Sequence, residues 1–352
     1  MQLFLLVGFT SFLLTLLLTP ALRDLFRRLG IVDAPGGERK IHMAPVPRVG
    51  GISLMLSMAV SFALVHAIGL RGPQAAGLDL IFKLLAPASL VFLLGLADDV
   101  FGLRPWQKLL VQVAAAGWAY WLGVRVFGFA GFTAWSWVSL PLTVFWLVLC
   151  MNAFNLIDGV DGLAAGLGLF ATLTMLAAAF MQANMALAVA TIPLAGSLIA
   201  FLRYNFNPAT VFLGDSGSLL IGFLLGCYGV IWSLKTATLL GMVAPMMALF
   251  VPLLDVVLAV ARRFLRHQPL FQADKGHIHH RLLEQGLTPR KAVLTLYAIC
   301  MAGATVSLVQ LVLRNQFANV VVLLFCAAAW MGVQHLGYLE FNVARDMLLG
   351  GT

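Results

Sequence analysis

The stretch LFLLVGFTSFLLTLLLTPAL at residues 3–22, followed at once by RDLFRR at 23–28, decides the fold. Twenty residues without a charge are what an α-helix needs to cross a hydrocarbon layer about 30 Å thick. No basic segment precedes the run, and arginines rather than a small-residue cleavage site follow it, so it reads as a retained helix and not a leader. Working outward, the same signal recurs near 49–69, 81–97, 105–124, 135–153, 162–182, 185–202, 210–231, 236–261, 292–313 and 317–338. Composition agrees, with 61% hydrophobic and 10% charged residues and a mean hydropathy of +0.97. The expectation is an all-α polytopic membrane protein of about eleven transmembrane helices. It forms one integral domain over 1–352, with polar loops about 23–48, 98–104, 154–161, 203–209 and 262–291.

Basic residues orient this layout. If the segment after the first helix is cytoplasmic, 17 of the 22 Lys and Arg fall inside, leaving Arg71, Lys83, Arg125, Lys235 and Arg314 outside. That asymmetry places the N-terminus outside and the C-terminus in the cytoplasm of a multi-pass membrane protein. The pI near 9.7 therefore reflects the bilayer as partner and no nucleic acid. The four cysteines, Cys150, Cys227, Cys300 and Cys326, lie in apolar runs without CxxC or metal-ligand spacing, and read as small buried hydrophobes.

Against so apolar a background each acid needs a reason, because an ionised aspartate inside a membrane helix costs about 2.5–3.5 kcal/mol. Five of the 14 acidic residues sit in three short motifs, all at cytoplasmic ends of spans. GLADDVFG (95–102) carries Asp98 and Asp99, adjacent like charges that need a cation nearby or a raised pKa. NAFNLIDGVDGL (152–163) spaces Asn155, Asp158 and Asp161 three apart, which on a helical turn gives one face. NFNPATVFLGDSGSLL (205–220) ends a helix at Pro208 and opens another at Gly214, whose free N–H groups and Asp215 suit a phosphate or a hydrated cation. Oxygen-only acids without Cys point to Mg²⁺, or Mn²⁺ in its place.

Two basic elements serve the same face. The 262–291 loop packs His277, His279 and His280 beside Lys275 and Arg281, with neither the spacing nor the glutamate of HExxH, and reads as an anion site. Lys40 and His42 precede the second span, and Lys108 lies nine residues beyond Asp99, facing the same way as Gln112. No Walker loop or GxGxxG is present. Acids for a divalent cation, an anion turn and a His-rich basic loop at one membrane boundary suit phosphoryl transfer from a soluble phosphoanhydride to a lipid phosphate. An ion-coupled transporter is the rival, but it predicts acids near the midplane.

These motifs resemble, in order, those of the polyprenyl-phosphate N-acetylhexosamine-1-phosphate transferases. The correspondence runs over PxxGG (47–51), GLADDVFGLRPWQKLLVQ (95–112), NAFNLIDGVDGLAAG (152–166), NPATVFLGDSGS (207–218) and DKGHIHH (274–280), about residues 30–290 in all. His-Ile-His-His, in place of three consecutive histidines, and Arg48-Val49 before the paired glycines resemble the branch that moves GlcNAc-1-phosphate from UDP-GlcNAc to undecaprenyl phosphate. Another UDP-HexNAc, or UDP-MurNAc-pentapeptide, stays open as donor. The resemblance implies Asp215 as a metal ligand with Asp98 and Asp99, and Asp98, Asp99, Asp158, Asp161 and Lys108 in the catalytic set. It implies substrate contacts from Lys40, His42, Asn155, Asn205, Phe212, His277, His279 and His280, with Phe212 stacking on the uracil. Asp98 as base, Asp98 as positioning group and a covalent aspartyl intermediate all stay open, as does a homodimer. No third acid follows Asp98-Asp99 at 100–102, so there is no DDxxD triad.

Overall fold

The computed structural model describes residues 2–33, 45–69, 78–126, 128–129, 132–133, 136–234, 243–265, 276–313 and 316–335. Lys40 and His42, read above as substrate contacts, lie outside these residues. Among the described residues there are thirteen helices: α1 Gln2–Arg28, α2 Gly50–Ile68, α3 Leu78–Phe101, α4 Pro105–Leu122, α5 Ser136–Ile157, α6 Leu163–Met181 and α7 Met185–Asn205, then α8 Gly214–Leu234, α9 Val243–Ala248, α10 Phe250–Leu265, α11 Ile278–Glu284, α12 Pro289–Leu313 and α13 Gln316–His335. A two-residue hairpin, Gly128–Phe129 with Phe132–Thr133, joins α4 to α5.

Among the described residues eight helices are long and apolar enough to cross a membrane: α1, α2, α3, α5, α6, α7, α8 and α12. The other three expected spans differ in character. Gln107, Lys108 and Gln112 dilute α4, Leu249 separates α9 from α10 in the described part of the 236–261 run, and α13 is apolar over Val320–His335. Boundaries shift as well. Helix α3 continues through Asp98 and Asp99 to Phe101 and stops at Gly102, whose φ of +66° breaks the helix. Helix α5 ends at Ile157, so Asp158 and Asp161 stand in a turn and not along one helical face.

Helix α8 is the axis of the bundle: 94% of its apolar window is buried, against 22% for α1. It packs against α2, α3, α5 and α6, and its approach to α3 depends on Gly95. A Cβ at that position would overlap the Asp215 carbonyl and Ser216 Cα. We expect Gly95→Ala to lower the unfolding temperature in detergent by several degrees, an overpacking cost of roughly 1–3 kcal/mol. Gly117→Ala, where added bulk meets open space, should leave it unchanged. Because the ends of α1, α3, α5 and α7 and the starts of α2, α4, α6, α8 and α12 meet at one end of the bundle, the motifs converge there.

Candidate active site

The turn after α3 is the starting point. Asp98 accepts from Leu103 N (2.7 Å), which closes the turn into α4, and from Lys108 Nζ (2.8 Å). The same ammonium donates to Asp215 Oδ2 at 2.5 Å. One lysine on the first turns of α4 thus joins an acid ending α3 to an acid starting α8. All three side chains keep 15–22% of their surface exposed, so the cluster faces outward from the core.

Asp99 points the other way. Its two oxygens accept from Asp215 N (2.9 Å) and Ser216 N (3.0 Å), and the side chain is only 3% exposed. It caps α8, meeting the positive end of the helix dipole with a carboxylate. Gly214, at φ +75°, makes the turn, and a Cβ there would strike Asp99. The anion that the Gly214–Gly217 turn was expected to bind is therefore supplied by the chain itself. As a metal ligand, Asp99 would have to share oxygens already taken by two N–H groups.

Arg48 was read only as a branch marker, yet it sits here. It donates to Asp33 Oδ2 at 3.1 Å, lies 3.9 Å from Asp99, and keeps 42% of its side chain exposed. Its backbone runs parallel to Phe212, with Phe212 N on Pro47 O and Gly50 N on Phe212 O, both at 3.0 Å. The signal for it was a cation two residues before paired glycines at a helix start.

The 158–162 and 206–213 turns form one unit. Asp161 accepts from Asn207 Nδ2 (3.1 Å) and Ala209 N (2.9 Å). Asn205, 3% exposed, accepts from Gly162 N (3.1 Å) and donates to Val211 O (3.0 Å). Both residues thus hold neighbouring backbone and fix the turn that carries the half-buried Phe212. Asn155 donates to Ser218 Oγ at 3.2 Å, tying α5 to α8. Asp158 has no hydrogen-bond or salt-bridge partner among the described residues. Burial, then the carboxylates of Asp215 and Asp99, hold its pKa well above the ordinary carboxylate value.

The histidines belong to a helix and not to a loop, for α11 starts directly after His277. Asp255 of α10, 1% exposed, accepts from His277 Nδ1 (2.8 Å) and Ile278 N (2.7 Å), and so docks α11 on α10. His279 stacks on His277 at 5.7 Å and lies 4.2 Å from His280, ring to ring. A Cβ on Gly159 would come within 2.9 Å of its Nε2, so the imidazole rests on the turn that carries Asp158.

His279 is 2% exposed and neither ring nitrogen has a partner among the described residues. Burial first, then neighbouring His280, push its pKa down from 6.5 to about 3. The folded chain therefore refuses a proton that the unfolded chain accepts. The stability linked to His279 is present above pH 6.5 and is lost as pH falls from there towards 3. We expect thermal unfolding of the wild type between pH 7 and pH 5 to show a steeper loss than that of His279→Gln; equal slopes would refute the linkage.

The family model described as Glycosyl transferase family 4 matches residues 81–233, which hold Asp98, Asp99, Lys108, Asp158, Asp161 and Asp215. A probable undecaprenyl-phosphate N-acetylglucosaminyl 1-phosphate transferase of Bacillus subtilis is 34% identical over 314 residues, covering 87% of this chain and 83% of the relative. The chain belongs to glycosyl transferase family 4. Two further members are similar to it. A decaprenyl-phosphate N-acetylglucosaminephosphotransferase of Mycobacterium tuberculosis is 34% identical, covering 83% of this chain and 78% of the relative. An undecaprenyl-phosphate alpha-N-acetylglucosaminyl 1-phosphate transferase of Escherichia coli is 30% identical, covering 83% and 80%. In this family 4 chain the matched segment ends before α10 to α12, so the histidines, Asp255 and the start of α12 complete the site from outside it.

Proposed function

We propose that this family 4 chain transfers GlcNAc-1-phosphate from UDP-GlcNAc to undecaprenyl phosphate, in a Mg²⁺-dependent reaction. The products are undecaprenyl-diphosphate-GlcNAc and UMP. The reaction would open synthesis of a cell-surface polymer at the cytoplasmic face of the inner membrane, with the N-terminus outside and the C-terminus inside. The observation that carries the reading is Lys108 held between Asp98 and Asp215 at the end of the bundle where helix termini meet. The named activities of the three relatives support the donor and the acceptor class.

Among the described residues no group of three or more His, Cys, Asp or Glu side chains is preformed for a metal ion. Mg²⁺ needs only one or two carboxylates, filling its shell with water and substrate phosphate. Asp215 and Asp98 fit that demand, and the unpartnered Asp158 is a carboxylate that a nearby cation would relieve. Bound there, Mg²⁺ would supply charge neutralisation on the diphosphate.

The chain's own residues do the rest. Lys108 fixes Asp98 relative to Asp215, Arg48 and the histidine helix present cations and donors to phosphate, and the Phe212 ring offers a face for the uracil. An oxygen of the acceptor phosphate attacks the β-phosphorus of UDP-GlcNAc, the bond to the α-phosphate oxygen breaks, and UMP leaves with that oxygen. No strong base is required, because a phosphate monoester with a second pKa near 6 is mostly dianionic at pH 7.

The test is UMP release by purified protein in detergent, with UDP-GlcNAc, undecaprenyl phosphate and Mg²⁺ each present or omitted. Dependence on all three supports the reading. Turnover only with a different UDP-HexNAc or with UDP-MurNAc-pentapeptide would move the donor. Silence with every UDP-sugar from folded protein would overturn the transferase.

A further inference from the structure

We propose that Tyr297 and Arg290 of α12 are positioning residues that clamp the two turns holding the donor nucleotide, an inference that rests on the transferase reading for its ligand. The two residues are seven apart, two helical turns, and so share a face of α12. The Tyr297 hydroxyl donates to Gly162 O at 2.6 Å, and Arg290 Nε donates to Asn207 O at 3.0 Å. One contact lands on the 158–162 turn and the other on the 206–213 turn. Helix α12 lies wholly outside the matched segment 81–233.

The receiving surface on α6 is shaped for the ring. Gly162, Gly166 and Phe170 follow one another at four-residue spacing and line one face. A Cβ on Gly166 would overlap the Tyr297 phenol, and Phe170 meets the ring edge-on at 5.3 Å. The Gly162 carbonyl already accepts the first helical bond, from Gly166 N at 2.9 Å, so the phenol takes its remaining lone pair. Arg290 is an exposed cation at a helix start, where a headgroup or a neighbouring acid would be its ordinary partner. It instead grips the backbone carbonyl of Asn207, whose side chain reaches Asp161.

The links form a closed circuit. From α12, Tyr297 holds Gly162, whose N–H donates to Asn205, which holds Val211 beside Phe212. Arg290 holds Asn207, which with Ala209 N ties back to Asp161. The clamp therefore fixes the turn that carries Asp158 against the turn that carries Phe212. The acid–lysine cluster at Asp98, Lys108 and Asp215 has no bond in this circuit. Loosening the clamp should weaken donor binding and leave the acceptor untouched.

The experiment uses the full chain in detergent with Tyr297→Phe, which removes one hydroxyl, and Arg290→Gln, with Arg290→Lys as the conservative control. Hydrogen exchange followed by mass spectrometry reports on peptides covering 158–166 and 205–212, alongside steady-state UMP release. In Tyr297→Phe we expect exchange in both turns to quicken roughly 5- to 10-fold, the loss of about one hydrogen bond. The KM for UDP-GlcNAc should rise by a similar factor, with kcat within about twofold, the KM for undecaprenyl phosphate unchanged and the unfolding temperature within about 2 °C. Arg290→Gln should move 205–212 more than 158–166, and Arg290→Lys should recover part of the donor KM.

Unchanged exchange in both turns of folded Tyr297→Phe would overturn the clamp, as would equal rises in the two KM values. If Tyr297→Phe does not fold, Arg290→Gln decides through exchange at 205–212. If the wild type turns over no UDP-GlcNAc, the transferase reading fails on its own, and the exchange data still decide the clamp.

Discussion

Asp215→Asn is expected to lower UMP release by about three orders of magnitude or more, mostly in kcat, while the unfolding temperature stays within about 2 °C of wild type. The amide is isosteric and still accepts a hydrogen bond from Lys108, so the geometry around Nζ survives. The N–H of residue 215 keeps its bond to Asp99, so the start of α8 is not disturbed. What is lost is one negative charge from a site in which Lys108 is shared by two carboxylates. A divalent cation would then have Asp98 alone of that pair, and Asp98 already accepts from Leu103 N and Lys108. Measured kcat within tenfold of wild type would remove Asp215 from the catalytic set and shift attention to Asp158, the acid without a partner.

Much of this site was legible in the chain, and the failures have physical causes. The nearness of Lys108 to the Asp98–Asp99 pair could be read from a separation of nine residues, but not that its partners would be Asp98 and Asp215. The capping of α8 by Asp99 did not show, because the partners are 116 residues apart and the turn at Gly214–Gly217 carries every mark of a vacant anion site. Asn205 was read as a substrate contact and Asp161 as part of the catalytic set, and the structure adds that both tie the 158–162 turn to the 206–213 turn, a role that residue type cannot express. Asp255 stands in an apolar run, and nothing in its spacing identified His277 as its partner.

At the level of the fold, apolar runs marked the helices but not their depth. A helix buried in protein and one facing lipid carry equally apolar residues, since acyl chains are as apolar as leucine. The centrality of α8 was written instead in Gly51, Gly95, Gly217 and Gly222, positions where a Cβ would meet a neighbouring residue. The hydropathy signal weakens where a helix borders the site. There, Gln107, Lys108 and Gln112 give α4 an intermediate hydropathy that suits a wall of the site better than a face in lipid.

The sharpest separation is expected between the adjacent acids. Asp99→Ala should cost about 2–5 kcal/mol of stability, because two N–H groups at a buried helix start lose their acceptor together. UMP release should fall at least a hundredfold with it, since Asp215 rides on that first turn. Asp99→Asn should fall between, as one amide oxygen can still accept while the amide nitrogen faces a second donor. Asp98→Ala, at a side chain 15% exposed, should cost far less stability, because the Leu103 N–H it serves lies at the partly exposed turn into α4 and can turn to water. Its activity should nevertheless fall as steeply, for Lys108 then answers to Asp215 alone. Thermal unfolding and UMP release measured on the same preparations place the four proteins on two axes. One acid moves along both and the other along one. Asp99→Ala with the unfolding temperature of wild type would mean that α8 is held by its packing against Gly95 and Gly51 and not by the carboxylate. The pair would then have to be read as two equivalent ligands of one ion, with both acids expected to change the Mg²⁺ dependence of turnover alike.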